Sequence, residues 1–214
     1  MKHLLLFTLL KIVILQPELF SQDTTFKNGY ALKGVDTIFC KVKFCKDCAA
    51  YHKHSVTLLI ENDEITFTAG NPFTGYGVFD NGNEYHYGAL EIEIPLGNQI
   101  QSQTIFLKKI VTGVIEFYEH SYNITTSKRT TINGVQQRGA ETSRQDYTKY
   151  YIAKTDSISY GLSTPLLLPS FRKKDLEPYL SDHVNLFSKI EKKISLKELI
   201  AALKEYNTWY LEKK

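Results

Sequence analysis

Apolar and polar residues alternate with period two from Gly29 to about Tyr160, and turn residues interrupt the pattern. This alternation predicts β-strands with one buried and one exposed face. Residues 37–44 show it most clearly, because Lys41 and Lys43 fall on one face. The opposite face carries four apolar side chains, those of Ile38, Cys40, Val42 and Phe44.

Further strands are predicted from β-branched runs and from the turn residues between them. Residues 55–61 and 64–68 flank Asn62-Asp63, and residues 84–94 follow Asn81-Gly82, a dipeptide that favours hairpins because both residues tolerate positive φ. Gly113 divides the apolar stretch 104–122 into two strands or bends one. We expect a further hairpin of residues 150–153 and 158–162. The polar stretch between these regions, 125–147, predicts a long mobile loop.

The period becomes helical after Pro165. Ser170 is the predicted cap of a helix that ends near Leu180, and Asp182 the predicted cap of a second short helix. The clearest helix signal is the capping box Ser195-Leu196-Lys197-Glu198. It precedes an apolar stripe with spacings of three and four residues, formed by Leu196, Leu199, Ile200, Leu203, Tyr206 and Tyr210.

These elements predict an α+β fold: a mainly antiparallel β-sheet, sandwich- or barrel-like, followed by two or three C-terminal helices. The chain has 214 residues, of which 43% are hydrophobic and 23% charged, so it can form a sizeable core. No linker rich in Pro, Gly or Ser divides it. We therefore expect a single β-rich domain over residues 22–214, with its helical segment at 170–212.

Residues 1–21 have the layout of a signal peptide. Lys2 and His3 precede an apolar run that continues to Leu15, and Pro17 follows it. Leu19 and Ser21 suit the positions that a signal peptidase reads, so cleavage is expected before Gln22. The alternative is a membrane anchor, although Lys11 interrupts the apolar run. The predicted location is periplasmic, outer-membrane associated or secreted, with no membrane span in the mature chain.

The charge balance argues against nucleic acid as a partner. Twenty-six basic and 23 acidic side chains give a formal charge of +3, spread through the sequence. A groove that follows a phosphate backbone needs a larger and more concentrated basic excess. The sequence contains no complete motif for a cofactor or a catalytic triad, so no catalytic residue and no cofactor other than zinc is suggested.

Several short motifs of the chain occur together elsewhere. They are Gly29-Tyr30, Gly34-Val35-Asp36-Thr37-Ile38, Tyr150-Tyr151-Ile152, Ser170-Phe171-Arg172-Lys173-Lys174, Tyr179-Leu180-Ser181-Asp182 and Tyr206-Asn207. With these motifs the chain resembles an uncharacterised group of exported β-rich proteins of Bacteroidetes. The resemblance implies a signal peptide, a β-rich middle and a helical C-terminal tail. It implies no activity, and it transfers no functional residue to this chain.

Cys40, Cys45, Cys48 and His52 form the densest set of soft ligands in the sequence. Three thiolates and one imidazole satisfy a tetrahedral Zn²⁺, so a zinc site is one interpretation. An exported chain meets an oxidising compartment, which favours a disulfide between Cys45 and Cys48 with Cys40 as a buried free thiol. A bond between Cys40 and Cys48 and thiols without a role are the remaining alternatives.

Tyr76, Tyr85 and Tyr87 lie in a region rich in aromatic residues and glycine. Exposed rings on a sheet can stack on sugars or contact a peptide, and glycine allows a ligand to approach the backbone. The alternative is that these rings belong to the core, where aromatic residues favour strands.

The sequence leads to a hypothesis of an exported, noncatalytic structural or interaction protein of the cell envelope, with an envelope protein or a glycan as partner. A carbohydrate- or peptide-binding module and a small metal-dependent hydrolase are the alternative functions.

Overall fold

The computed structural model of the chain describes residues 25–45, 54–70, 72–96, 99–132, 135–154, 160–162 and 169–213. Within these ranges the elements follow each other as β1 (Thr25–Lys33), β2 (Asp36–Phe44), β3 (Ser55–Ile60), β4 (Asp63–Thr68), β5 (Phe73–Asp80), β6 (Asn83–Leu96), β7 (Gln99–Val111), β8 (Ile115–Ile132), β9 (Val135–Lys154), β10 (Tyr160–Leu162), β11 (Ser170–Arg172), α1 (Lys173–Leu180), α2 (Val184–Lys189), β12 (Lys193–Ser195) and α3 (Leu196–Glu212).

Ten of these strands form one antiparallel sheet in the order β10-β9-β8-β7-β6-β5-β1-β2-β3-β4. A small second sheet pairs β11 with β12, and the three helices lie in the C-terminal part of the chain. The predicted α+β fold, an antiparallel sheet followed by C-terminal helices, is thus confirmed. The large sheet is open, with β4 and β10 at its edges.

The open sheet is strongly rolled. In a flat sheet, four strand spacings of about 4.8 Å would place β4 about 19 Å from β5. Residues 69–72 connect the two strands, and the ring centroids of Phe67 and Phe73 lie only 4.0 Å apart. The roll also brings the start of β3 to β7, where Gln103 Nε2 lies 3.0 Å from His54 Nδ1. The sheet therefore has barrel-like curvature without closure.

Two apolar clusters occupy the concave face of the sheet. The first fills the roll, and its buried members are Ala31, Val42, Phe44, Val56, Leu58, Phe73, Tyr76, Val78 and Phe106. The second lies between the helices and the ends of β7, β8 and β9, where Phe117 and Ile152 are fully buried. A third cluster, on the opposite face, includes Ile105 and Tyr118.

The last helix, α3, packs on the sheet through the apolar stripe that the sequence predicts. Leu199, Leu203 and Tyr206 are each 0% exposed. The predicted capping box is also confirmed, since the Ser195 hydroxyl accepts from the Glu198 N–H and the Glu198 carboxylate accepts from the Ser195 N–H. These two reciprocal bonds fix the start of α3 at the end of β12.

The predicted loop at 125–147 is wrong: residues 125–132 belong to β8 and residues 135–147 belong to β9. The two strands pair from Ile115↔Lys154 to Ile132↔Val135, with one irregularity after Ser127. The physical reason lies in the β-branched threonines of this stretch and in Asn133-Gly134 between the strands, a strong hairpin signal. Polar composition alone does not prevent a two-stranded ribbon from pairing its backbone.

Two predicted helix caps are also wrong. Ser170 lies in β11, opposite Ser195, and α1 begins only at Lys173. Asp182 precedes the cap of α2, which is His183. A serine or aspartate before an apolar run favours a cap, but here Ser170 pairs in a strand and the Asp182 carboxylate binds other groups.

The observed turns lie close to the positions that the sequence predicts. Asn81 and Gly82 connect β5 and β6 with φ of 49° and 77°, as predicted for Asn-Gly. Gly113 separates β7 from β8, and β10 pairs with β9. The β3–β4 turn lies one residue earlier than predicted, because Glu61 and Asn62 are the pair with positive φ, 51° and 82°.

The described residues contain no helix with the combined length and apolar character that a bilayer crossing requires. Residues 1–21 lie outside the described ranges, so the predicted signal peptide is untested by the structure. The same holds for its alternative as a membrane anchor.

Asn207 joins α3 to the corner between β7 and β8. Its Oδ1 accepts from the Ile115 N–H at 2.8 Å, and its Nδ2 donates to the carbonyls of Ile115 and Thr112 at 2.9 and 3.3 Å. The residue is 7% exposed. Gly113 permits this approach, because a Cβ at that position would lie 2.3 Å from Asn207 Nδ2. One side chain thus satisfies three backbone groups of the corner.

We expect Asn207→Ala to lower the free energy of unfolding by about 3 kcal/mol, because it leaves buried backbone groups without partners. Asn207→Asp should also destabilise, since a carboxylate would face two carbonyl oxygens. Thr208→Ala, an exposed neighbour on the same helix, is the control and should change stability by about 0.5 kcal/mol or less. Urea unfolding followed by circular dichroism measures all three. Equal effects of Asn207→Ala and Thr208→Ala would contradict the assigned role.

Asp182 connects the helical region to β9. Its Oδ2 accepts from the Tyr206 hydroxyl at 2.7 Å and from Lys154 Nζ at 3.2 Å. Partial burial alone would raise the pKa of Asp182, but these hydrogen bonds outweigh burial and hold the pKa below its usual range. A lowered pKa in the folded state means that ionised Asp182 stabilises the fold.

This stabilisation is present above the usual aspartate pKa, about 3.9, and is lost as the pH falls through the lower folded-state pKa. Asp182→Asn should therefore be less stable than wild type at pH 7, and the difference should shrink below about pH 4. Tyr206→Phe should produce part of the same change, whereas the exposed Asp63→Asn should not. Thermal unfolding from pH 2 to 7 checks this, and a constant difference between wild type and Asp182→Asn would contradict it.

Candidate peptide-binding cleft

The predicted cysteine and histidine set is only partly within the described residues. Cys40 is a free, half-buried thiol on the concave face of β2, and Cys45 is buried. Cys48 and His52 lie outside the described ranges, so the zinc set and the pairing of Cys45 with Cys48 stay predictions. No disulfide joins two described residues, since Cys40 is free. The described residues also contain no group of three or more His, Cys, Asp or Glu placed to hold a metal.

The predicted ligand-binding tyrosines lie inside the roll. Tyr76 is 1% exposed and stacks on Tyr87, with centroids 4.7 Å apart and 10° between the ring planes. Tyr85 is partly buried and packs on Phe44 at 5.4 Å. Burial raises the pKa of both Tyr76 and Tyr87. A ligand outside the roll therefore cannot reach Tyr76, and the three rings do not form a common exposed platform.

Exposed aromatic rings occur instead on the convex face of the sheet. Phe39 of β2 is 78% exposed and Phe79 of β5 is 43% exposed. Tyr30 lies between them, across Gly77, where a Cβ would meet its ring at 2.3 Å. Its hydroxyl and His86 Nδ1 form a hydrogen bond, and its ring centroid lies 6.1 Å from that of Phe79. The convex face thus presents an aromatic strip beside the N-terminal half of β2.

The same half of β2 has an unpaired edge. β2 pairs with β1 along its whole length, but with β3 only at Lys41↔Leu59 and Val42↔Leu58. β3 ends at Ile60, where the chain turns into β4. Among the described strands, residues 36–40 therefore have a hydrogen-bonded neighbour on one side only. Their outward N–H and C=O groups form a strand edge that a further strand can pair with.

A cleft with a volume of about 590 Å³ lies along this edge. Residues 38–41 of β2 form one wall and residues 59–62 at the β3–β4 turn form the other. Phe79 and the backbone around Gly29 complete the lining. The cleft exists because β3 is shorter than β2 and stops before it covers the start of that strand. It combines unpaired backbone groups with exposed apolar rings.

The ionisable side chains of the cleft include no activated thiol. Cys40 is its thiol, and burial raises the pKa of that thiol. A thiol with a raised pKa is protonated at neutral pH and is a weak nucleophile. Lys41 and Glu61 add one charge of each sign to the lining.

Sequence reasoning missed Phe39, although a signal was present. Phe39 falls on the same face of its strand as Lys41 and Lys43, which alternation marks as exposed. A single exposed apolar residue is ordinary on a protein surface, so Phe39 indicates a binding surface only together with the exposed Phe79, which lines the same cleft.

No protein-family model, curated protein or solved structure matches the chain. What the cleft binds is therefore inferred from its shape and chemistry alone.

Proposed function

We propose that the chain is an exported, noncatalytic interaction protein of the cell envelope that binds an extended peptide segment of a partner protein in the cleft beside β2. The unpaired edge of residues 36–40 next to the exposed Phe39 is the observation that supports this function. It belongs to the recognition mode in which a peptide adds one strand to a sheet.

Backbone hydrogen bonds from the peptide to β2 provide affinity in this mode, and pockets for alternate side chains provide specificity. Five edge residues correspond to about 17 Å of extended chain, so a segment of five to seven residues fits the edge. Its side chains on one face point to the side of the sheet that carries Phe39 and Leu59. Those on the other face point to the side that carries Ile38 and Ile60. The preferred peptide therefore has apolar residues at alternate positions.

The same surface is less suited to binding a glycan. Sugar rings stack on exposed aromatic rings but do not need a row of unpaired backbone groups, which is the main feature of this cleft. The three tyrosines that favoured a carbohydrate ligand lie largely inside the roll. The peptide-binding alternative is therefore the one that the geometry supports.

Selection from a displayed library of random seven-residue peptides, followed by fluorescence anisotropy with the best binder, tests this function. Phe39→Ala should weaken binding at least tenfold, equivalent to about 1.4 kcal/mol. Leu211→Ala is the matched control, because Leu211 is 68% exposed on α3 and lies outside the cleft lining. It should leave the affinity within twofold. Both replaced side chains are exposed, so neither variant should lose its fold.

Hydrogen exchange distinguishes strand addition from other modes of binding. The bound peptide should slow the exchange of the outward-facing amides, those of alternate residues within 36–40, because these N–H groups gain partners whereas the others already face β1. Protection of the edge strand β4 instead of β2, or equal losses of affinity in Phe39→Ala and Leu211→Ala, would refute the proposed cleft.

Export is tested separately. When the full chain is produced with a bacterial secretion pathway, N-terminal sequencing of the product should give Gln22 as its first residue. A product that retains residues 1–21 and sediments with membranes would support the anchor alternative and contradict the cleaved signal peptide. This outcome leaves the peptide-binding test unaffected.

A further inference from the structure

The helical region contains a second concave site, separate from the peptide cleft. It lies where the β11–β12 pair meets α1 and α2 and has a cavity volume of about 680 Å³. Five cations and one carboxylate, that of Glu177, line it. The cations are Arg172, Lys173, Lys174, Lys192 and Lys193. We call this depression the basic pocket.

The basic pocket keeps its charge largely uncompensated. Arg172 forms a two-point ion pair with Asp175, with distances of 2.8 and 3.1 Å. Among the residues that the structure describes, no ion pair involves the other four cations, Lys173, Lys174, Lys192 and Lys193. Among the described residues, no carboxylate thus neutralises these four ammonium groups by an ion pair.

The arrangement of these charges is unfavourable for folding. Arg172 and Lys193 are directly opposite each other in the β11–β12 pair. Like charges at such positions destabilise a sheet. The ion pair with Asp175 neutralises Arg172 but leaves the charge of Lys193 without a partner among the described residues. An anion bound next to the Arg172 and Lys193 side chains would offset the remaining repulsion.

The floor of the basic pocket is apolar. Ile190 is 7% exposed and Phe187 is half-buried. The Lys173 ammonium lies 4.7 Å from the centre of the Phe187 ring. A cation held over an aromatic ring places positive charge at the edge of an apolar surface. The site therefore suits a ligand that carries negative charge on one side and an apolar group on the other.

We propose that the basic pocket binds a phosphate group joined to an apolar moiety, as in a phosphorylated amphiphile. Phosphate fits better than carboxylate because the planar fork of Arg172 is already occupied by Asp175. The remaining cations are lysines, which act as compact point charges and suit a tetrahedral dianion. Lys192 and Lys193 hold the phosphate, and Phe187 contacts the apolar part.

The test uses the full chain with two soluble probes, inorganic phosphate and dihexanoyl phosphatidic acid below its micelle concentration, measured by isothermal titration calorimetry. Wild type should bind the phosphatidic acid at least tenfold more tightly than inorganic phosphate. Vesicles with and without phosphatidic acid then show whether the protein reaches the same group in a membrane. Binding to the vesicles supports a lipid source, and binding to the soluble amphiphile alone supports a free ligand.

Two double variants test the site. The first combines Lys192→Glu with Lys193→Glu. The control combines Lys197→Glu with Lys204→Glu, both on the exposed side of α3. Both change the net charge equally, and Glu at position 193 would face Arg172, so the first should fold. It should weaken binding of the phosphatidic acid at least tenfold, whereas the control should stay within twofold. Phe187→Leu should weaken the binding of the phosphatidic acid more than the binding of inorganic phosphate.

Three results would overturn the proposal. They are equal losses in the two charge variants, equal affinity of wild type for the two probes, and no binding of phosphatidic acid at millimolar concentration. Circular dichroism of each variant confirms that a loss reflects the site and not unfolding.

Discussion

The contact of Asn207 with the β7–β8 corner is the interaction on which the placement of the helical region depends. A buried amide contributes to stability mainly through the groups it satisfies, and here one side chain serves the N–H of Ile115 and the carbonyls of Ile115 and Thr112. The residue before it in α3, Tyr206, donates to Asp182, which also accepts from Lys154 of β9. These polar contacts fix the register of an apolar interface that by itself would tolerate sliding.

The sequence predicts the elements whose signals are local. Alternation identifies β2, Asn81-Gly82 identifies the β5–β6 hairpin, and the capping box identifies the start of α3, because neighbouring residues supply each of these interactions. The hairpin of β8 and β9 is harder to predict, because its polar composition is typical of a loop and only the threonines and Asn133-Gly134 indicate strands and a turn. Ser170 resembles a helix cap in the sequence, because a strand of three residues such as β11 is too short to show the alternation of a strand.

The two candidate sites could not be predicted in the same way, because both depend on contacts between distant parts of the chain. The peptide cleft exists where β3 stops short of the start of β2, and the roll of the sheet decides that Tyr76 is buried while Phe39 is exposed. Alternation assigns residues to faces but does not say which face becomes concave. The basic pocket likewise needs the β11–β12 pair to bring Arg172 beside Lys193, although the sequence separates them by some twenty positions.

The two sites also rest on different parts of the core. Ile38 and Cys40, at the peptide cleft, pack against the cluster inside the roll, whereas Ile190 and Phe187 of the basic pocket belong to or pack on the cluster under the helices. Substitutions in separate clusters without shared partners have nearly additive effects, so each site can be altered without changing the other. One sheet connects the clusters, so the two proposed ligands, an extended peptide at the cleft and a phosphorylated amphiphile at the basic pocket, would not compete for the same residues.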